Sequence, residues 1–230
     1  MGVVYLVRHG QASFGALNYD ELSTLGHRQA GVVGEALRPR LGTIDHVVAG
    51  TLRRQRDTAA GCLKALGSEL DLGESAAWNE FDHEELLLKH EPEFADPPRL
   101  YARLAASADP RAAFEDLFRG SILRWIGGQH DADYRETWTG FRTRCTTALT
   151  ELVAALGPSK TALVFTSGGP IATICAGLLG LAHEQAIQLP ANIANCSVTK
   201  IVYGKRGLIL STFNEHGWFE GEGRSLLSYR

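Results

Sequence analysis

At 230 residues the chain is long enough to bury one hydrophobic core and carry an insertion. Apolar residues at 44% and charged residues at 21% exclude a disordered or membrane-embedded chain. A formal net charge of -3 without a long Lys/Arg run excludes an electrostatic footprint for nucleic acid or an anionic membrane surface, so any bound anion must be held locally.

Met1 to Val7 is apolar but too short for a secretory core segment, lacks a basic flank, and runs directly into Arg8 and His9. Together with four scattered cysteines that form no C-x-x-C pair (Cys62, Cys145, Cys175, Cys196), this gives a cytoplasmic location and buried free thiols as the expectation. The apolar run from Ile171 to Ala182 contains glycines and falls short of the ~20 residues that span a bilayer.

In chain order, Val3 to Val7 is a continuous β-branched and aromatic run, the pattern of a strand buried on both faces. Ser23 caps a predicted helix to Leu37, with Leu25, Val33 and Leu37 inward and Pro39 as its stop. A strand from Asp45 to Ala49 follows, and Gly50-Thr51-Leu52 opens a helix to Leu66. Between Phe81 and Glu136 the composition turns acidic and proline-bearing. There Asp109-Pro110 forms an N-cap with proline at the first helical position, ahead of helically spaced Phe114, Leu117, Phe118, Ile122, Trp125 and Ile126. A long amphipathic helix is predicted from Trp138 to Leu156, stopped by Gly157-Pro158, and then a buried strand from Thr161 to Thr166. Ser167 to Pro170 reads as a turn into a helix from Ile171 to Leu181, and two strands, Ser197–Tyr203 and Leu208–Phe213, flank a hairpin-like Gly204–Gly207. Alternating strands and helices predict an α/β layered fold with a mainly parallel sheet flanked by helices, a single domain over 1–230 with a helical cap insertion at about 81–138.

Four segments place phosphate-compatible groups at or after strand ends, where ligands bind in open α/β sheets. Arg8-His9-Gly10 suits an anion site with a nucleophile, and equally a surface arginine beside a hydrogen-bonded turn histidine. Arg53, Arg54 and Arg56 lie in a first helical turn whose dipole disfavours cations, a conflict that an anion would remove; solvated arginines remain a fair reading of Arg53 and Arg56. Glu80 in Trp78-Asn79-Glu80-Phe81 is by itself only a loop carboxylate. Ser167-Gly168-Gly169 before a helix offers free backbone amides to an anion, or glycines used for conformation alone.

As an ordered set these segments resemble the histidine phosphatase (phosphoglycerate mutase-like) superfamily over essentially the whole chain. Arg8-His9-Gly10 matches its signature. Asp20, Leu22, Ser23, Leu25, Gly26, Gln29 and Ala30 resemble its D-x-L-[ST]-x-x-G-x-x-Q-A helix start. Leu52, Arg54, Thr58 and Ala59 match S-x-L-x-R-A-x-x-T-A, with Gly50 and Gln55 departing from Ser and Ala. Asn195-Cys196-Ser197, Asn214 and His216 resemble its closing strands.

The resemblance implies His9 as nucleophile, Glu80 as general acid and base provided that partial burial raises its pKa, and Arg8, Arg54, Ser167 and Gly168 around the phosphate. Ser167 stands where the family carries a second histidine, and serine donates one hydrogen bond without positive charge. The implied activity is that of a metal-independent histidine acid phosphatase-type hydrolase, needing no cofactor and acting on a small phosphorylated substrate. A mutase is disfavoured because Gly15 stands in the register of the mutases' Asn, and a phospholigand-binding module with impaired chemistry is the alternative. His27, His46, His90, His130 and His183 have no mutual metal-ligand spacing and read as structural; His83, near Glu80 in sequence, is either a further pocket candidate or, as an acidic-loop histidine more often is, solvated.

Overall fold

The computed structural model describes residues 1–13, 20–186 and 189–229, so Gly15 and its register lie outside the described residues. The described chain forms two compact units, residues 1–80 with 144–230 and residues 81–143.

The first unit is built on a six-stranded sheet: β1 (Gly2–Arg8), β2 (His46–Ala49), β3 (Gly73–Glu74), β4 (Thr161–Thr166), β5 (Val198–Gly204) and β6 (Gly207–Glu215). The spatial order is β3-β2-β4-β1-β5-β6. β3, β2, β4 and β1 pair in parallel, whereas β5 and β6 run antiparallel and close one side of the sheet. The class is thus α/β with a mainly parallel sheet flanked by helices, with an antiparallel hairpin on one edge. Ala162 to Phe165 of β4 are buried at consecutive positions, as expected for a central parallel strand, whereas in β1 Val4, Leu6 and Val7 are buried and Val3 and Tyr5 half-buried.

Helix α1 (Thr24–Leu37) begins where Ser23 Oγ accepts from the Gly26 amide, the cap expected from sequence. It packs with α2 (Arg53–Leu66) against Val7, Val47, Ala49, Leu163 and Phe165, burying Ala30, Val33, Leu37, Ala59, Cys62 and Leu63. At ~25 cal/mol per Å² of apolar surface removed from water, this burial stabilises the unit. Helix α7 (Gly168–Leu179) starts three residues earlier than the sequence predicts. Proline is tolerated in a first turn, where amides have no intrahelical acceptor, so Gly168, Gly169 and Pro170 are helical residues rather than a turn. α8 (His183–Ala186) is a single short turn of helix.

The second unit holds α3 (His83–His90), α4 (Pro97–Ala105) and α5 (Pro110–Ile126), each opened by an aspartate, Asp82, Asp96 or Asp109, that accepts from backbone amides. Phe81, Trp125, Trp138 and Phe141 form its aromatic cluster, with ring centroids 5.2–6.0 Å apart. Helix α6 (Trp138–Leu156) has the bounds read from its amphipathic pattern. Among the described residues no helix is long and apolar enough to cross a membrane.

Candidate active site

The strand order puts the carboxyl ends of β2, β4 and β1 side by side, in a register that pairs Ala49 with Phe165 and Arg8 with Thr166. The segments leaving these strands are therefore brought to one edge: Arg8-His9 at the end of β1, Gly50 to Arg54 after β2, Ser167-Gly168 after β4. Backbone bonds finish the alignment, Gly50 N to Phe165 O at 3.0 Å and His9 N to Thr166 O at 2.9 Å.

His9 is buried at 4% exposure and is held from both ring nitrogens. Nδ1 lies 2.7 Å from the Gly10 carbonyl, which can only accept, so Nδ1 carries the proton. Nε2 therefore presents its lone pair, and Arg54 Nε donates to it at 3.3 Å. Burial, then the positive charges of Arg54 and Arg8, hold the imidazole well below its ordinary pKa of 6.5 and keep it neutral. A neutral imidazole with its lone pair beside a guanidinium has the chemistry to attack an electrophile, and the guanidinium the charge to hold an anion.

Several residues that match the family motifs but receive no role from sequence hold this geometry. Gly10 and Gly26 let two backbones touch, since a Cβ on Gly10 would stand 2.6 Å from the Gly26 carbonyl oxygen. The Gly10 amide donates to Thr58 Oγ1 at 3.0 Å, and that hydroxyl donates to the Arg54 carbonyl at 2.6 Å, so the His9 loop and the arginine share one hydroxyl. Asn195 Nδ2 donates to the His9 carbonyl at 3.1 Å, and Cys196, in the left-handed region at φ 52, donates its amide to the Arg8 carbonyl at 3.1 Å. Burial pushes the Cys196 thiol well above its usual range and the Cys62 thiol up to about 12, which leaves both unreactive.

Asp20 is the clearest omission of sequence reasoning. Its Oδ1 accepts from Arg54 at 2.7 Å and its Oδ2 from the Arg53 amide at 2.8 Å. One carboxylate thus anchors the buried guanidinium and complements the α2 N-terminus, offsetting the unfavourable dipole of that arginine-rich turn. The D-x-L-[ST] match contains the residue but not its partner. Arg53 and Arg56 are exposed and pair with Glu21 and Glu74, in keeping with their solvated reading. Arg8 donates to the Ile193 carbonyl and, at 3.3 Å, to the Tyr229 carbonyl; a Cβ on Gly168 would stand 3.7 Å from its Nε.

At the start of α7, Glu80 Oε2 accepts from the Gly169 amide at 2.9 Å. The flanking residues are pinned as well: Thr166 Oγ1 donates to the Trp78 carbonyl at 2.6 Å and Arg144 to the Asn79 carbonyl at 2.9 Å. Ser167 is fully buried and makes no capping bond to α7; its Oγ accepts from Gln55 Nε2 at 2.8 Å. The structure therefore joins His9, Arg54, Ser167 and Glu80 through α2 and the α7 N-terminus, with Gly168 between the last two and Arg8 beside it. His83 belongs to the second unit, as the first residue of α3.

An α/β sheet of this order with an Arg-His-Gly loop at its carboxyl edge defines the class, and comparison with known proteins gives the family. The family model described as Histidine phosphatase superfamily (branch 1) matches residues 4–216, and the chain belongs to that superfamily. Similar solved structures include phosphoglycerate mutase from Bacillus anthracis, at 19% identity and TM-score 0.63 over 94% of each chain. Phosphoserine phosphatase from Entamoeba histolytica is 17% identical, with TM-score 0.64 over 93% of this chain and 97% of that one. A mycobacterial glucosyl-3-phosphoglycerate phosphatase is 24% identical, with TM-score 0.62 over 93% and 99%. At these identities the likeness establishes the fold. No curated protein matched the sequence.

Proposed function

We propose that the protein hydrolyses a phosphomonoester, or another small phosphoryl compound, through a phosphohistidine on His9. The observation that carries this reading is the locked tautomer: Nδ1–H bound to the Gly10 carbonyl, and the Nε2 lone pair beside Arg54 in a buried site. Nε2 attacks phosphorus in line as the bond to the leaving oxygen breaks. Arg54, Arg8, the Gly168 amide and the Ser167 hydroxyl compensate the equatorial oxygens. Glu80 delivers a proton to the leaving oxygen, then accepts one from the water that attacks the phosphohistidine, which returns His9 to its neutral state. Two guanidiniums and a helix N-terminus supply the positive field, so the chemistry asks for no metal and no organic cofactor. The similar structures named as phosphatases of phosphoserine and of glucosyl-3-phosphoglycerate are compatible with hydrolysis of small metabolites, as the phosphoglycerate mutase is with transfer.

One observation favours a second reading, a phospholigand-binding module with impaired chemistry: Ser167 and its partner Gln55 bring no charge to the α7 side of the site. Both readings are tested by turnover on a panel of phosphorylated metabolites, with His9→Ala as control. The enzyme reading expects hydrolysis that His9→Ala abolishes in a folded protein. Phosphate or vanadate binding with no turnover on any member supports the module.

A further inference from the structure

Gln55 is buried without exposure in the first turn of α2, next in sequence to Arg54, and uses its whole carboxamide. Nε2 donates to Ser167 Oγ at 2.8 Å and to the Trp78 carbonyl at 3.2 Å, while Oε1 accepts from the Leu52 amide at 3.4 Å. The Trp78 carbonyl can only accept, which fixes the orientation of the carboxamide and makes Ser167 Oγ the acceptor of its bond. Gly50 provides the room. A Cβ there would stand 1.9 Å from Gln55 Oε1 and 2.7 Å from Asn79 Oδ1. Gly50, Gln55 and Ser167 are also three of the positions at which the sequence departs from the motifs it resembles, and in the structure they are one contact.

We propose that Gln55 is a positioning residue of this site: admitted by Gly50, its carboxamide ties Ser167 to the Trp78 carbonyl and so holds the α7 N-terminus and the Glu80 carboxylate in one geometry. Trp78 lies two residues before Glu80, and Ser167 two before the Gly169 amide that Glu80 accepts from. The carboxamide therefore spans both supports of the general acid. Its bond also occupies Ser167 Oγ as an acceptor, which leaves the hydroxyl proton for a phosphoryl oxygen. The inference rests on the proposed phosphatase reading, in which Glu80 protonates the leaving group.

The test is steady-state kinetics of wild type, Gln55→Ala, Gln55→Met, Gly50→Ser and Gly50→Ser/Gln55→Ala on an aryl phosphate with a good leaving group and an alkyl phosphate with a poor one, alongside thermal unfolding with and without orthovanadate. A misplaced acid costs most where the leaving oxygen needs its proton. Gln55→Ala and Gln55→Met are thus expected to lower kcat on the alkyl phosphate on the order of 10- to 100-fold, with less than about threefold change on the aryl phosphate and little change in KM. Methionine fills the space without the donor, so equal loss in both variants assigns the effect to the hydrogen bonds. Gly50→Ser is expected to match Gln55→Ala, and the double variant to lose no more than Gln55→Ala alone. Equal losses on both substrates, wild-type behaviour of Gln55→Met, or additive losses in the double variant would overturn the proposal. A wild type without turnover sinks the phosphatase reading instead, and the role of Gln55 is then judged by unfolding: non-additive midpoint shifts and weakened vanadate stabilisation support it, and additive shifts refute it.

Discussion

The neutrality of His9 has a thermodynamic consequence that needs no substrate. Burial first, then Arg54 and Arg8, hold its pKa in the folded protein well below the 6.5 of an exposed imidazole. In the unfolded chain the ring takes up a proton as pH falls through 6.5, while the folded ring stays neutral. The unfolded state then binds more protons, so stability contributed by this group is full above about 6.5 and declines as pH falls towards the folded pKa. The slope is up to about 1.4 kcal/mol per pH unit, and lowering pH from about 6.5 to 5.5 costs about 1 kcal/mol from this residue alone. For a chain of this size that is about 2–4 °C in Tm. The assay is thermal or urea unfolding of wild type and His9→Gln across this range in a phosphate-free buffer, taking the difference between the two proteins to cancel every other titrating group. Wild type should lose stability relative to His9→Gln as pH falls. Parallel curves would show that His9 titrates in the fold as it does in the unfolded chain, and relative stabilisation of wild type in acid that its pKa is raised; either would refute an imidazole held neutral by burial and the two arginines.

Asp20→Ala removes the carboxylate that holds Arg54 at 2.7 Å and caps α2 through the Arg53 amide. With Asp20 about a third exposed, the expected loss is about 1–3 kcal/mol by chemical denaturation and at least about 10-fold in kcat/KM; an unchanged kcat/KM would mean that Arg54 is held by other groups. Phosphatase activity should persist in chelator and be inhibited by vanadate, and loss on chelation restored by a divalent ion would contradict a field made of arginines and backbone amides. Ser167→His alone is expected to lower activity, because the ring must displace the Gln55 carboxamide from 2.8 Å. Adding Gln55→Ala should raise kcat/KM above that of Gln55→Ala by up to about 10²-fold, since a charge-assisted phosphate contact becomes possible. A gain from Ser167→His without that second change would mean that the space was already free.

The frame of this site is legible in sequence because it is made of strong local signals. β-branched runs mark β1, β2 and β4; Ser23 and Asp109-Pro110 mark helix starts that the structure places within a residue; the motif order points to His9, Arg54 and Glu80. The two-residue β3 is invisible because so short a stretch has no periodicity, and its pairing comes from β2 beside it. The start of α7 is misread because a Gly-Gly-Pro run looks like a turn, although a first helical turn asks for no amide acceptors. Partners far apart in the chain stay hidden: Asp20 with Arg54, 34 residues apart, and Gln55 with Ser167, 112 apart. A residue's type announces that it needs a partner, but only the strand order β2-β4-β1 decides which one it meets.

The central claim, that the His9 Nε2 lone pair takes a phosphoryl group, is tested most directly by rapid acid-free quenching of the protein during turnover of a phosphorylated substrate, followed by intact-mass and peptide mass spectrometry in alkali. A phosphoryl adduct that survives base, is lost in acid, maps to the peptide containing His9 and is absent from folded His9→Ala is the predicted result. Turnover with no adduct under conditions that slow dephosphorylation, or with equal rates in wild type and His9→Ala, would contradict it.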